Sequence, residues 1–228
     1  MIRKMLRYVG YRLIDLSELK YTGQYPNLKG DRDIEWSFIS AHIPEGDGYV
    51  LDFGNGGSNL GLVAAMNGYQ TIALDLNEVV WQYRHPNLKF LKGDLLVENV
   101  TKNETFDVII NCSTIEHVGL AGRYGISESD EDGDIRVMNI LGDLLFRNGV
   151  MVMTVPVGKD AVFPPLHRVY GDERLPKLLK KYRVLHEEYW IKDMDNLWVQ
   201  CSKKDALSRE PSSYLYGIGC FVLRRRVC

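Results

Sequence analysis

The chain has 228 residues, of which 45% are hydrophobic and 25% are charged. This composition is typical of a globular protein, and the length suits one large α/β domain. The longest apolar runs have the length of strands, and none approaches the roughly 18 apolar residues that a membrane-spanning helix needs. The formal net charge of −2 gives no general attraction to phosphate backbones, which argues against nucleic acid as a partner.

The first residues lack the uninterrupted apolar core of a secretory signal, because Arg3, Lys4 and Arg7 break it. We therefore expect a cytoplasmic protein. The cysteines are too widely spaced for a zinc site or a redox pair, which predicts reduced thiols. They are Cys112, Cys201, Cys220 and Cys228. Residues 1–31 are predicted to form an N-terminal extension, with a helix that could cap the site, pack on the sheet or meet a partner, and residues 32–228 are predicted to form the domain.

From about residue 32 onward, short β-rich runs alternate with helical segments, which predicts a mostly parallel sheet of the seven-strand type, flanked by helices. Strands are predicted over 49–53, 70–74, 87–92, 106–112 and 150–155. Helices are predicted over 33–43, 60–66 and 173–182, and from Asp132 or Asp134 to a stop at Asn148 and Gly149. The β-rich stretches 183–191, 197–200 and 216–224 predict an antiparallel C-terminal edge.

A glycine-rich turn follows the first predicted strand, in the sequence Asp52-Phe53-Gly54-Asn55-Gly56-Gly57-Ser58. Such a turn lets the backbone approach a nucleotide-like ligand. Asp75 ends the second strand roughly 20 residues further on, where a carboxylate can accept hydrogen bonds from both hydroxyls of a ribose. Asp94 and Leu95 follow the third strand at the same carboxyl edge of the sheet.

These segments resemble the class I methyltransferases, which use S-adenosylmethionine (SAM) and whose first motif is an acidic residue followed by glycine, any residue and glycine. In this chain the motif is Asp52, Gly54 and Gly56, and Ser58 stands where a third glycine often occurs. The resemblance implies a Rossmann-like α/β fold, SAM as cofactor, a ribose bound by Asp75, and an adenine flanked by Asp94 and Leu95. The predicted cofactor-binding residues are Asp52, Gly54, Asn55, Gly56, Ser58, Asp75, Leu76, Asp94, Leu95 and Asn111.

Two other functions stay open. An NAD(P)-dependent oxidoreductase would use Asp75 equally well, but Asn59 occupies the last glycine position of the dinucleotide fingerprint, where a small side chain is needed. A non-catalytic module could also keep this fold and bind SAM without turnover.

The segment 111–119 follows the fourth strand, beside the expected methyl group. Methyl transfer to a hydroxyl needs an oriented acceptor and removal of a proton, and His117 assisted by Glu116 suits the second task. Because His167 follows the fifth strand, we expect it in the same acceptor pocket. The predicted catalytic residues are thus His117, Glu116 and His167. Arg123, Tyr124, Arg168 and Tyr170 are predicted to orient the substrate.

A closer resemblance concerns Glu116-His117-Val118-Gly119-Leu120, Arg123-Tyr124-Gly125, Pro156-Val157-Gly158 and His167-Arg168-Val169-Tyr170-Gly171. They are similar to the signature segments of an uncharacterised branch of the methyltransferases, a domain of unknown function. That branch implies no substrate. The chain departs from its pattern at Ala121 and at Ile126.

The acceptor is expected to be a small polar molecule, such as a sugar or a glycan precursor, with O-methylation favoured. The motifs of enzymes that methylate nucleic-acid bases are absent, since Cys112 lacks their proline-cysteine context. No metal is predicted: the acidic stretch 127–134 lacks the spacing of a calcium loop, although Glu116, His117 and His167 could in principle hold a cation.

Overall fold

The computed structural model describes residues 30–80, 83–97, 101 and 104–226. Helices cover both faces of an eight-stranded sheet, and β6 and β7 form a separate hairpin. The strands are β1 (Tyr49–Phe53), β2 (Gln70–Asp75), β3 (Leu88–Lys92), β4 (Phe106–Cys112), β5 (Leu145–Val157), β6 (Ala161–Phe163), β7 (His167–Val169), β8 (Tyr182–Lys192), β9 (Trp198–Cys201) and β10 (Gly217–Arg225). The helices are α1 (Asp31–His42), α2 (Leu60–Met66), α3 (Gly133–Leu144), α4 (Arg174–Leu178) and α5 (Lys203–Ser208), with a short 3-10 helix at Ile115–His117.

The strand order in the main sheet is β3-β2-β1-β4-β5-β10-β8-β9. The first five strands of this order pair in parallel, while β10, β8 and β9 add an antiparallel edge. The chain moves outward from β1 to β3 and then returns to place β4 on the other side of β1. This reversal opens a crevice at the carboxyl ends of β1 and β4, which is where open α/β sheets bind ligands.

Alternation along the central strands sends apolar side chains to both faces of the sheet. In β4, Phe106 and Ile109 join the core under α3, whereas Val108 and Ile110 join the core under α1 and α2. A strand covered on both faces needs such a continuous apolar run, which explains why this one was recognisable in the sequence. The sheet is therefore the rigid layer from which the loops of the site project.

Most predicted elements are confirmed. The bounds predicted for β1, α2 and β4 agree with the structure, and the antiparallel C-terminal edge is present. The sheet has eight strands within the described residues, one more than the seven-strand type predicted. The predicted helix in residues 1–31 lies almost wholly outside the described residues, since α1 begins at Asp31.

The predicted ends of α3 and α4 and the predicted start of β5 were wrong. The helix α3 ends at Leu144 instead of at Asn148, because the strand β5 already begins at Leu145. Gly149 lies within that strand, at a place where an added Cβ would come within 2.9 Å of the carbonyl oxygens of Phe106 and Asp107. Glycine is thus required by close backbone approach and does not mark a helix stop. The helix α4 is shorter than predicted and ends at Leu178, because Tyr182 turns into the core, where its hydroxyl donates to the Met138 carbonyl.

The hairpin of β6 and β7 and the helix α5 were not predicted. None of the helices within the described ranges is long and apolar enough to cross a membrane. Cys112, Cys201 and Cys220 are free thiols, and Cys228 lies outside the described residues.

Candidate active site

A cavity of about 590 Å³, here termed the large cavity, lies at the carboxyl ends of β1 to β4. Its walls come from the glycine-rich turn after β1, the ends of β2 and β3, and the segment after β4. Of the predicted cofactor-binding residues, eight line it: Gly54, Asn55, Gly56, Ser58, Asp75, Leu76, Asp94 and Leu95. Asp52 and Asn111 do not.

The glycine-rich turn is held tightly against the segment after β4. Gly54 has φ +70°, and a Cβ at this position would lie 2.0 Å from the Thr114 side chain. The Thr114 hydroxyl donates to the Gly54 carbonyl at 3.1 Å. Only glycine therefore fits here, both for its backbone angle and for the space available.

Asp52 was expected to contact the cofactor, but in the structure its side chain is buried and does not line the large cavity. Its Oδ2 accepts a hydrogen bond of 2.6 Å from the Asn55 amide, and Asn55 Oδ1 accepts from the Gly57 N–H at 2.9 Å. Burial raises the pKa of Asp52 to about 6. Asp52 thus holds the turn through Asn55. Asn111 is also fully buried and lines neither this cavity nor the polar cavity described below.

Asp75 presents its carboxylate to the large cavity. Oδ2 accepts from the Gly56 N–H at 2.8 Å and Oδ1 from the Asn77 N–H at 2.9 Å. Because each carboxylate oxygen can accept two hydrogen bonds, one acceptor site on each oxygen is left for a ligand. Asp94 holds the next loop in a similar way, since its Oδ1 accepts from the Leu96 N–H at 2.8 Å.

A second cavity of about 330 Å³, here termed the polar cavity, lies beside the first. It is lined by Asp31, Arg32, Glu35, Ser113, Glu116, His117, Pro156, His167 and Tyr216. Arg32, Ser113 and His117 line both cavities, so the two spaces meet at these side chains. All three residues predicted to be catalytic lie in the polar cavity, and the rings of His117 and His167 are 6.5 Å apart.

The orientation of the His117 ring is fixed by the backbone. Its Nδ1 lies 2.5 Å from the Leu166 carbonyl oxygen, which can only accept, so Nδ1 carries the proton. Burial lowers the pKa of His117 to about 4, and the ring is neutral near pH 7. Its Nε2 therefore has a free lone pair, and this atom lies 3.8 Å from Glu116 Oε1. Burial also lowers the pKa of His167.

Glu116 is 2% exposed, and its burial raises its pKa to about 8. Its Oε2 has no hydrogen-bond partner among the described residues, and neither has Nε2 of His167. A carboxyl group with a pKa near the working pH and an unpaired oxygen is suited to proton transfer.

Glu35 lines the polar cavity and was not predicted from the sequence. Its Oε2 pairs with Arg32 at 2.6 Å, and its Oε1 accepts from the hydroxyls of Ser113 and Thr154. A signal was present, because Glu35 interrupts the apolar stripe that Ile34 and Phe38 form on α1. Tyr216 gave no comparable signal.

Arg168 and Tyr170 were predicted to bind the substrate, but the structure places neither of them at either cavity. Both side chains are buried. The Arg168 guanidinium donates to the carbonyls of Val118, Asp130 and Glu131, and the Tyr170 hydroxyl donates to Asp134 at 3.0 Å. These bonds hold the loop that follows the 3-10 helix.

Arg123 and Tyr124 line the large cavity and not the polar one. The Tyr124 ring lies edge-on to His117, with 5.6 Å between ring centroids. Within the described residues, no group of three or more His, Cys, Asp and Glu side chains could hold a metal ion.

The family model described as "Caenorhabditis protein of unknown function, DUF268" matches residues 62–209. The chain belongs to this family. The DUF268 match includes Asp75, Asp94, Glu116, His117 and His167. None of the curated proteins matches this chain.

Solved structures share the class I methyltransferase fold with this DUF268 member. One is the 1,6-didemethyltoxoflavin-N1-methyltransferase of Burkholderia thailandensis, with its bound acceptor and S-adenosylhomocysteine (SAH); the sequence identity is 14%, the TM-score is 0.60, and 97% of this chain and 88% of that chain are covered. A SAM-dependent methyltransferase of Clostridium acetobutylicum is 14% identical with a TM-score of 0.54, covering 96% and 99%. A TehB-like methyltransferase of Corynebacterium glutamicum is 16% identical with a TM-score of 0.51, covering 96% and 99%.

Proposed function

We propose that this chain binds SAM in the large cavity and transfers its methyl group to a hydroxyl group of a small polar molecule in the polar cavity. The observation that carries the proposal is the junction of the two cavities at Arg32, Ser113 and His117. A nucleotide-type site and a site with a candidate base meet there, as a two-substrate transfer requires.

The residues of the large cavity fit the chemistry of SAM. The free acceptor sites of Asp75 suit the two ribose hydroxyls, and Leu76 and Leu95 offer apolar surface to an adenine. Arg123 offers positive charge for the carboxylate of the methionine part. The shared fold supports this assignment, because one of the similar structures holds SAH.

Bound SAM supplies a methyl group on a positively charged sulfur. His117 Nε2 is placed to take the acceptor's hydroxyl proton while the oxygen–carbon bond forms and the carbon–sulfur bond breaks. The positive charge then passes from sulfur to the imidazole ring. Glu116 is half ionised at a pH equal to its pKa of about 8, and its carboxylate, 3.8 Å from Nε2, would stabilise that charge. His117 is therefore the proposed general base and Glu116 its partner.

A sugar or a glycan precursor is the proposed acceptor class. The polar cavity carries carboxylate, imidazole and hydroxyl groups, which suit a hydroxyl-rich ligand. A screen for transfer of a labelled methyl group from SAM to sugars and sugar nucleotides, with RNA in parallel, tests this class. Methylation of RNA alone would contradict it.

Calorimetry with SAH and with NAD(P)H tests the cofactor. We expect SAH to bind and the Asp75→Ala variant to bind it about tenfold or more weakly, because charge-assisted hydrogen bonds worth roughly 1.5–3 kcal/mol are lost. Asp195→Ala, which removes an exposed carboxylate outside both cavities, is the matched control.

If NAD(P)H binds and SAH does not, the result supports an oxidoreductase instead. Binding of SAH with no turnover on any acceptor would support a non-catalytic module.

A further inference from the structure

The polar cavity contains two buried atoms that need a partner. Glu116 Oε2 and His167 Nε2 make no hydrogen bond within the described chain, and these residues are 2% and 7% exposed. A buried polar group without a hydrogen-bond partner destabilises the folded protein. Both residues line a cavity large enough for a small ligand, so a ligand can supply the missing bonds.

Three of the other polar groups of this cavity act as hydrogen-bond acceptors toward a ligand. The Ser113 hydroxyl already donates to Glu35, and the Tyr216 hydroxyl donates to Asp31 at 3.1 Å. Their oxygens keep lone pairs but have no further proton to give. His117 Nε2 also accepts, because Nδ1 holds the ring proton. A ligand with hydroxyl groups therefore suits this cavity, because its protons can go to these acceptors while its oxygens accept from the Arg32 guanidinium and the protonated Glu116 carboxyl.

The charges of the cavity act against an anion. Asp31 and Glu35 contribute carboxylates to its wall, whereas the Glu116 carboxyl, with its pKa raised to about 8, is mostly protonated near pH 7. Arg32 is the permanent cation among the described residues that line it, and it is paired with Glu35 at 2.6 Å. A carboxylate or phosphate placed here would meet acidic side chains and no free cation.

An amine is also disfavoured as the methyl acceptor. Neighbouring carboxylates stabilise the protonated form of an amine, and a protonated amine has no lone pair with which to attack. A hydroxyl group keeps its lone pairs and needs only one base, which His117 provides.

We infer that the polar cavity selects an uncharged acceptor with neighbouring hydroxyl groups and rejects carboxylate and phosphate groups at the site of methylation. This inference rests on the proposed function and specifies its substrate class. Phosphate groups of a larger acceptor would have to lie outside the polar cavity.

Three probes with one sugar scaffold test the inference: methyl α-D-glucopyranoside, glucosamine and glucuronate. SAH binding to the protein is measured first, by calorimetry. Saturation-transfer NMR on the SAH-loaded protein then ranks the probes. We expect the uncharged glycoside to bind at least about tenfold more tightly than glucuronate, the difference of roughly 1.4 kcal/mol that one uncompensated like charge readily gives.

The variant Asp31→Asn is the matched test of the charge argument, because it keeps an oxygen for the Tyr216 hydroxyl and removes one negative charge. We expect this variant to reduce the ratio of glycoside affinity to glucuronate affinity by roughly threefold or more. Equal or tighter binding of glucuronate, methyl transfer from SAM to the amine of glucosamine, or no binding of any probe to the SAH-loaded protein would each overturn the inference and leave the methyltransferase proposal standing. Absence of SAH binding would instead contradict the proposed function.

Discussion

Two groups of charged and polar side chains adjoin the 3-10 helix, and they differ in how their hydrogen bonds are satisfied. The first, termed the Asp134 cluster, consists of Asp134, Arg168, Tyr170 and Arg174. Arg174 donates to both carboxylate oxygens of Asp134, at 2.9 and 2.6 Å, and Tyr170 donates to one of them. The Arg168 guanidinium is covered by backbone carbonyls.

The second group is the polar cavity, in which Glu116 Oε2 and His167 Nε2 have no partner within the described residues. Folding usually pairs buried polar groups, so unpaired ones that also line a cavity, as these two do, point to a ligand. The contrast assigns the Asp134 cluster to holding the backbone and the polar cavity to binding. Residue type alone does not distinguish them, since both contain buried acidic and basic side chains.

The largest expected effect on stability comes from the Asp134 cluster. Arg168→Met removes the guanidinium from the carbonyls of Val118, Asp130 and Glu131, and should lower the free energy of unfolding by about 3–5 kcal/mol. Urea denaturation measures this. The exposed Arg123→Met is the control and should stay within about 0.5 kcal/mol of the wild type. Similar losses in both variants would remove the distinction between the two groups.

In the polar cavity, replacing His117 should lower turnover and leave the stability of the fold unchanged. His117→Ala should reduce methyl transfer roughly 10²–10⁴-fold, the range for loss of a general base, while SAH affinity stays unchanged. His186→Ala removes a half-exposed histidine outside both cavities and is the control. If the His117→Ala variant retained turnover, the role of His117 would be structural and not catalytic.

A third expectation concerns the pH dependence of stability. The pKa of Glu116 is raised from 4.5 to about 8 by burial, so its contribution is fully present below pH 4.5 and is lost as the pH rises toward 8. The loss is on the order of a few kcal/mol. The glutamine of the Glu116→Gln variant does not titrate, so this variant should not show that loss of stability. Unfolding free energies of the two proteins, compared between pH 5 and pH 8, should therefore diverge in favour of the variant; a constant difference would contradict the buried, neutral carboxyl group.

The cofactor side of the molecule was largely predictable from the sequence, because the strand, the glycine-rich turn and Asp75 follow one another within a short stretch. Backbone geometry fixes their positions locally, as Gly54 shows. The acceptor side was predictable only in part. The positions of His117 and His167 followed from the common carboxyl edge of β4 and β5, but Asp31, Glu35 and Tyr216 come from distant parts of the chain.

Arg168 illustrates why the rest could not be predicted. Its neighbour His167 faces the polar cavity, while Arg168 turns into the protein to bind carbonyls roughly forty to fifty positions earlier in the chain. Within the β7 strand, successive side chains point to opposite sides. This hairpin was not recognised in the sequence, so the alternation could not be used, and both residues were assigned to the acceptor pocket, His167 as a catalytic residue and Arg168 as a substrate-binding residue.

The smallest expected effects come from one matched pair of substitutions, Tyr170→Phe and Tyr216→Phe. Each removes a hydroxyl that donates to an aspartate, at 3.0 Å for Tyr170 and 3.1 Å for Tyr216. Tyr170 is fully buried, so its loss should lower stability by about 1–2 kcal/mol with little change in KM. Tyr216 is only partly buried and lines the polar cavity, so its loss should change stability by less than about 1 kcal/mol and raise the acceptor's KM about threefold to tenfold. Thermal unfolding and steady-state kinetics on both variants test the pair. If Tyr170→Phe raised the KM and Tyr216→Phe lowered the stability, binding would belong to the Asp134 cluster and support of the fold to the polar cavity.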